Sequence, residues 1–126
     1  MTKESKRLPR ILLAGSTGYI GRALLQLLSK EKYQVLCPIR QQDDIQIQFQ
    51  KNRNIEFKLV DISELGSENY LQEMCKKIDV IISCIGSRNG TRDEAQSVEY
   101  EANMRLLDLG LKLQVNQFVL LSAICV

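Results

Sequence analysis

Residues 11–21 read Ile-Leu-Leu-Ala-Gly-Ser-Thr-Gly-Tyr-Ile-Gly, and this segment constrains the chain more than any other. A run of four apolar residues suits a buried strand, and glycines follow at every third position: Gly15, Gly18 and Gly21. Next comes Arg22-Ala-Leu-Leu-Gln-Leu-Leu, which has the composition of a helix. A strand that turns sharply into a helix leaves the first helical N–H groups and the positive end of the helix dipole facing open space, an arrangement suited to a pyrophosphate. Gly15 is expected to allow the tight turn, Gly18 the close approach of a phosphate, and Gly21 the packing of helix against strand. Ser16, Thr17, Tyr19 and Ile20 complete the loop as candidate cofactor contacts. The competing reading is an ordinary glycine-rich turn.

A chain of 126 residues supports one domain with a real core, and its 44% hydrophobic and 25% charged content is that of a globular protein. The formal net charge of +2 gives no reason to expect nucleic acid as a partner. Lys3, Lys6, Arg7 and Arg10 read as a small basic arm, with residues 1–9 expected to be a flexible tail. No apolar run has the length of a membrane-crossing helix, and the first strand begins too early for a signal or transit peptide, so a cytoplasmic location is expected. Cys37, Cys75, Cys84 and Cys125 show no Cys-x-x-Cys pairing and read as buried free thiols rather than disulfides or zinc ligands. Histidine is absent, which excludes a Ser-His-Asp triad and histidine metal ligation. Chemistry then has to come from a cofactor or from Ser, Tyr, Lys and carboxylates. No metal site is expected.

Strand and helix patterns alternate along the whole chain. Strands are expected near Arg10–Ala14, Gln34–Ile39, Ile55–Val60, Val80–Ile85 and Phe118–Ser122, with helices near Tyr19–Lys30, from Ser67 to Lys77 and from Glu94 to Leu113. Between Gln41 and Asn54 the pattern is ambiguous: Ile45, Ile47 and Phe49 alternate like a strand, yet Ile45 and Phe49 share a helical face. A parallel sheet needs a crossover there, which favours a short helix. The expected fold is a doubly wound α/β parallel sheet, Rossmann-like, of five strands in the order 3-2-1-4-5. Residues 1–126 then form one NAD(P)-binding domain, read as an N-terminal fragment because the chain stops just past strand five without a closing helix.

In such a fold the end of strand two meets the adenosine ribose, where an acid selects NAD and a basic residue accommodates the 2′-phosphate of NADP. Arg40 stands directly after Cys37-Pro38-Ile39 and points to NADP(H), with Asp43 and Asp44 close by as the opposing signal. Arg22 offers a second positive charge or a solvated one. Asp61, ending strand three before Ile62, is placed to accept a hydrogen bond from an adenine amino group, or else to cap a turn. Cys84 and Gly86, after strand four, are placed beside the ribose or nicotinamide half of the cofactor. Arg88 and Arg92 read as solvated loop residues, and Asn103 as a bond across to the strand-four loop or a plain surface amide. Ser122 ends strand five and is the candidate catalytic residue, orienting or polarising a substrate; a small polar strand end is the competing reading.

Gly-Ser-Thr-Gly-Tyr-Ile-Gly, the arginine after strand two and Val60-Asp61-Ile62 are similar to the atypical short-chain dehydrogenase/reductases of the nitrogen-metabolite-regulator type. Ser87-Arg88-Asn89-Gly90, Glu99-Tyr100-Glu101-Ala102 and above all Phe118–Val126 resemble the divinyl chlorophyllide 8-vinyl reductase branch. That resemblance implies an oxidoreductase that uses NADPH to reduce the 8-vinyl group of divinyl chlorophyllide, a hydrophobic small-molecule substrate, to ethyl in chlorophyll biosynthesis. Members of that branch run to well over twice this length, and the half absent here is expected to hold most of the substrate pocket. The alternatives are an NADP-binding regulatory module without turnover, an inactive truncated remnant of such a reductase, and an atypical reductase acting on some other hydrophobic substrate.

Overall fold

The computed structural model describes residues 8–61, 77–85 and 92–121, with side chains from residue 100 onward in the last segment. Its elements, in chain order, are β1 (Arg10–Ala14), α1 (Tyr19–Leu28), β2 (Gln34–Ile39), α2 (Asp44–Gln48), β3 (Ile55–Leu59), β4 (Val80–Ser83), α3 (Arg92–Leu113) and β5 (Gln117–Leu120). The strands form one parallel sheet in the order β3-β2-β1-β4-β5. This is the expected order. The helix expected from Ser67 lies outside the described residues. Strands three, four and five are each shorter than expected, ending at Leu59, Ser83 and Leu120, although Val60, Cys84 and Leu121 still donate to the neighbouring strand.

Parallel strands buried on both faces read as continuous apolar runs, and here alternate residues of each run serve opposite layers. Leu12, Ala14, Leu36 and Ile81 face α3, packing with Leu106 and Leu109. Leu13, Val35, Cys37 and Ile55 face the other way, against Leu25 of α1 and Ile45 and Phe49 of α2. The ambiguous segment around Ile45 is thus a helix. What decides it is a capping box: the Asp43 carboxylate accepts from the Ile45 N–H at 2.9 Å, and the Asp43 N–H donates to the Gln46 side chain at 3.0 Å.

Pro38 stands inside the second strand of the sheet, a position that normally excludes proline. Gln34 donates its N–H to Pro9 on the β1 side, whereas Val35 donates toward β3 through Asn54. By alternation, position 38 would aim its N–H at β1, beyond the last registered pair, Leu12 with Leu36. The β1–β2 register accordingly ends before Pro38, while the β2–β3 register continues past it to Ile39.

The amino-terminal edge of the sheet is tied by polar groups. Asp79, nearly buried, accepts from the Arg10 N–H at 2.8 Å, donates its own N–H to the Arg10 carbonyl at 2.9 Å, and accepts from the Asn116 N–H at 2.8 Å. Arg10 also reaches Gln34 at 3.1 Å. It opens β1, and the expectation that it belongs to a solvated basic arm is corrected: burial of its stem between strands fixes it. The carboxyl edge is tied by Ser83 at the end of β4, which bonds to Asn103 of α3.

α3 ends on Gln114, which adopts φ 57°, the left-handed conformation that closes many helices. The Val115 N–H folds back to the Gly110 carbonyl at 3.1 Å. A β-carbon is strained there, so replacing Gln114 with glycine is expected to stabilise the chain by about 0.5–1 kcal/mol, read as a raised urea midpoint with an unchanged slope.

Candidate functional site

The strand order reverses between β1 and β4, and the glycine loop lies over that switch point. Gly15 adopts φ +83°, and a β-carbon on it would lie 2.7 Å from the carbonyl carbon of Cys84 and 2.9 Å from the nitrogen of Ile85. The loop is therefore seated directly on the chain leaving β4, helped by the Cys84 N–H donating to Ala14 at 2.8 Å. A β-carbon at Gly21 would lie 1.9 Å from the Gly15 carbonyl oxygen, so α1 meets the turn with no room for a side chain. Both glycines take the expected roles. Gly18 differs: at φ −78° and ψ 177° its backbone suits any residue, so the turn itself does not require glycine there.

Gly18 also caps α1 without a side-chain hydrogen bond, and no acidic residue occupies the first turn. The N–H groups of that turn thus keep their capacity for an anion. Tyr19 and Ile20 project outward and are largely exposed. Beneath the loop, the Ser16 hydroxyl is buried without a hydrogen-bond partner of good geometry. Its polar neighbour is the Cys37 thiol, a weak acceptor, so the hydroxyl counts as orphaned. Burial pushes the Cys37 thiol up to about 12, opposed by the Ser16 contact, and burial also raises the Cys84 thiol. Both are free thiols, Cys37 buried as expected and Cys84 only partly so, while Cys75 and Cys125 lie outside the described residues.

Arg40 is exposed just past β2 and makes no hydrogen bond or ion pair with a described residue. Asp61 is exposed at the end of β3. Asp43 is not free: its carboxylate accepts from Ile45 and pairs with Arg22 at 3.0 Å. The Ile45 N–H and then the Arg22 guanidinium hold it below the usual carboxylate range. Arg22 is accordingly not idle, although its side chain remains partly solvated. The buried Ser83, at the end of β4, donates to Asn103 of α3 in a short bond and accepts from the Ile85 N–H at 3.4 Å. Of the two readings of Asn103, a bond to the strand-four loop and a plain surface amide, neither is quite what forms: its partner is Ser83, the last residue of β4 itself. Ser83 itself was missed, since a serine inside Val-Ile-Ile-Ser gives no sign of its partner. Ile62, Gly86, Arg88 and Ser122 lie outside the described residues, as does the Arg92 side chain. Among the described residues no cluster of His, Cys, Asp and Glu forms a metal site, and no helix is long and apolar enough to cross a membrane.

An uncapped helix start, an orphaned hydroxyl and two glycines that no side chain can replace fit the diphosphate of a dinucleotide. The comparisons with known proteins agree. The family model described as NAD dependent epimerase/dehydratase family matches residues 11–126. The chain is 33% identical over 123 residues to the divinyl chlorophyllide a 8-vinyl-reductase of Arabidopsis thaliana, covering 92% of this chain and 30% of the relative. It is 34% identical over 125 residues to the cucumber (Cucumis sativus) protein of the same name, covering 92% and 29%. The chain thus spans less than a third of the curated relatives it matches. Among solved structures, the yeast methylglyoxal/isovaleraldehyde reductase Gre2 complexed with NADPH superimposes with a TM-score of 0.74 at 23% identity, over 90% of this chain and 37% of that one. At that identity the likeness is one of fold.

Two outcomes follow from this packing. Gly21→Ala is expected to cost at least about 2 kcal/mol in urea unfolding, because its new methyl meets backbone rather than a movable side chain. Alkylation of the native chain at neutral pH, followed by peptide mapping, is expected to label Cys84 and to spare Cys37 until denaturant is added.

Proposed function

The chain belongs to the NAD dependent epimerase/dehydratase family, and on that premise we propose that it is the NADPH-binding part of a reductase acting on the 8-vinyl group of a divinyl chlorophyllide. The observation that carries the cofactor half of this reading is the start of α1. It stands over the switch point with no capping side chain and no acid in its first turn. The substrate half rests on likeness to the plant reductases, which share about a third of the aligned residues.

In this reading the α1 amides and the loop around Gly18 hold the diphosphate, and Ser16 supplies a hydroxyl beneath it. Arg40 holds the 2′-phosphate with a fork that matches phosphate geometry. Asp61 and Ile62 border the adenine, and Cys84 and Gly86 border the nicotinamide side. Ser122 orients the substrate at the end of β5. When bound, the cofactor supplies hydride for reduction of a carbon–carbon double bond. The chain binds, orients and excludes water.

A second reading, an NADP-binding module without turnover, is favoured by the side chains described at the switch point. Ser16, Ser83 and Asn103 do not titrate near neutrality, and the Cys37 and Cys84 thiols are shifted upward. None of the five is a general acid or base at neutral pH. In this reading the proton for a reduced vinyl group comes from a group other than these five.

Titration of the chain with NADPH and with NADH, paired with a vinyl-reduction assay on divinyl chlorophyllide, separates the readings. Tighter NADPH binding with product formation supports the reductase; tighter binding without product supports the module. Arg40→Gln is expected to weaken NADPH about tenfold and to leave NADH unchanged. Equal loss of both nucleotides, or no loss, removes Arg40 from the 2′-phosphate role.

A further inference from the structure

Arg22 is the fourth residue of α1, and its guanidinium reaches in three directions. One terminal nitrogen donates to the Asp43 carboxylate at 3.0 Å and to the Thr17 carbonyl in the glycine loop at 3.4 Å; the other donates to Gln48 of α2 at 3.5 Å. A single side chain therefore joins the glycine loop, α1 and the start of α2. Its ionic partner stands three residues past Arg40, on the stretch between β2 and α2 where this fold chooses between nucleotides.

Asp43 is also the kind of group that decides that choice. A carboxylate after the second strand favours NAD by accepting from the free ribose 2′-hydroxyl, and the same charge repels a 2′-phosphate. The segment after β2 thus carries contradictory signals, an arginine for NADP at position 40 and acids for NAD at 43 and 44. Asp44 is exposed, whereas Asp43 is half-buried and already committed. We propose that the Arg22–Asp43 ion pair resolves the contradiction: Arg22 cancels and holds the Asp43 carboxylate, so that a ribose bearing a 2′-phosphate is admitted beside Arg40. Arg22 and Asp43 are positioning residues for nucleotide choice, acting on the same site as the proposed function and resting on that reading.

Geometry keeps Asp43 from turning toward a ribose. The oxygen that meets Arg22 also accepts the Ile45 N–H at 2.9 Å, and the Asp43 backbone N–H is held by Gln46 at 3.0 Å. Both sides of the pair remain about one-third exposed, 36% for Arg22 and 30% for Asp43, so its charge is felt outside the protein and is screened by salt.

The test is a double-mutant cycle on the 126-residue chain, with NADPH and NADH affinities measured at low and high salt. Arg22→Gln leaves the Asp43 charge uncancelled and is expected to weaken NADPH about fivefold while NADH stays the same or tightens. Asp43→Asn keeps a good helix cap and is expected to tighten NADPH about threefold with NADH unchanged. The double variant is expected to return within about twofold of the wild-type NADPH:NADH ratio, and all three differences are expected to shrink as salt rises. A pair that only staples the loop to α2 would lower both nucleotides together, in both single variants, and would show no salt dependence; that pattern overturns the inference. An Arg40→Gln effect on NADPH alone, with the Arg22 and Asp43 variants indistinguishable from wild type, also overturns it and leaves the proposed function standing. Failure of the wild-type chain to prefer NADPH overturns both.

Discussion

Backbone contact between two loops underlies the rest of this structure. The turn after β1 rests on the chain leaving β4 so closely that the missing side chain of Gly15 would overlap the Cys84 carbonyl, and α1 rests on that turn so closely that Gly21 has no space either. These contacts join the two halves of the sheet at the point where its order reverses. They also set the direction of α1 and hence where its N-terminus points. A side chain at either position moves backbone, which is why the loop tolerates nothing larger than hydrogen there.

The fold divides its polar interactions unevenly between the two edges of the sheet. At the amino-terminal edge, Asp79 links β1, β4 and the entry to β5 through bonds with Arg10 and Asn116. At the carboxyl edge, Ser83 and Asn103 make one short link between β4 and α3, while the Ser16 hydroxyl and the first α1 amides find no partner of their own. The unpartnered Ser16 hydroxyl and the open α1 amides lie together at the carboxyl end, where this fold places its ligands, whereas at the other end the buried Arg10 Nε is left without a partner.

Strand order, the roles of Gly15 and Gly21 and the two-sided burial of the sheet were legible in the sequence because each follows from local pattern: apolar runs, glycine spacing and alternation. The short helix α2 was ambiguous by periodicity, although Asp43 and Gln46 already carried the spacing of a capping box. Less legible were the contacts that depend on distance along the chain. Arg10 and Asp79 are 69 residues apart, Ser83 and Asn103 are 20, and Arg22 and Asp43 are 21. Side-chain type alone could not tell a solvated arginine from one pinned between a loop and a helix. The same limit hid the isolation of Ser16, since burial without a partner is a property of the packed state only.

A helix capped by Gly18 forgoes only about 0.3 kcal/mol relative to Ser, Asp or Asn, and its first amides stay open to an anion. An anion seated there restores that deficit, so the folded population of this chain is thermodynamically linked to the concentration of whatever phosphate it holds. For a protein of marginal stability, such a link makes survival against proteolysis follow the supply of nucleotide: a molecule short of its ligand would be the one cleared first.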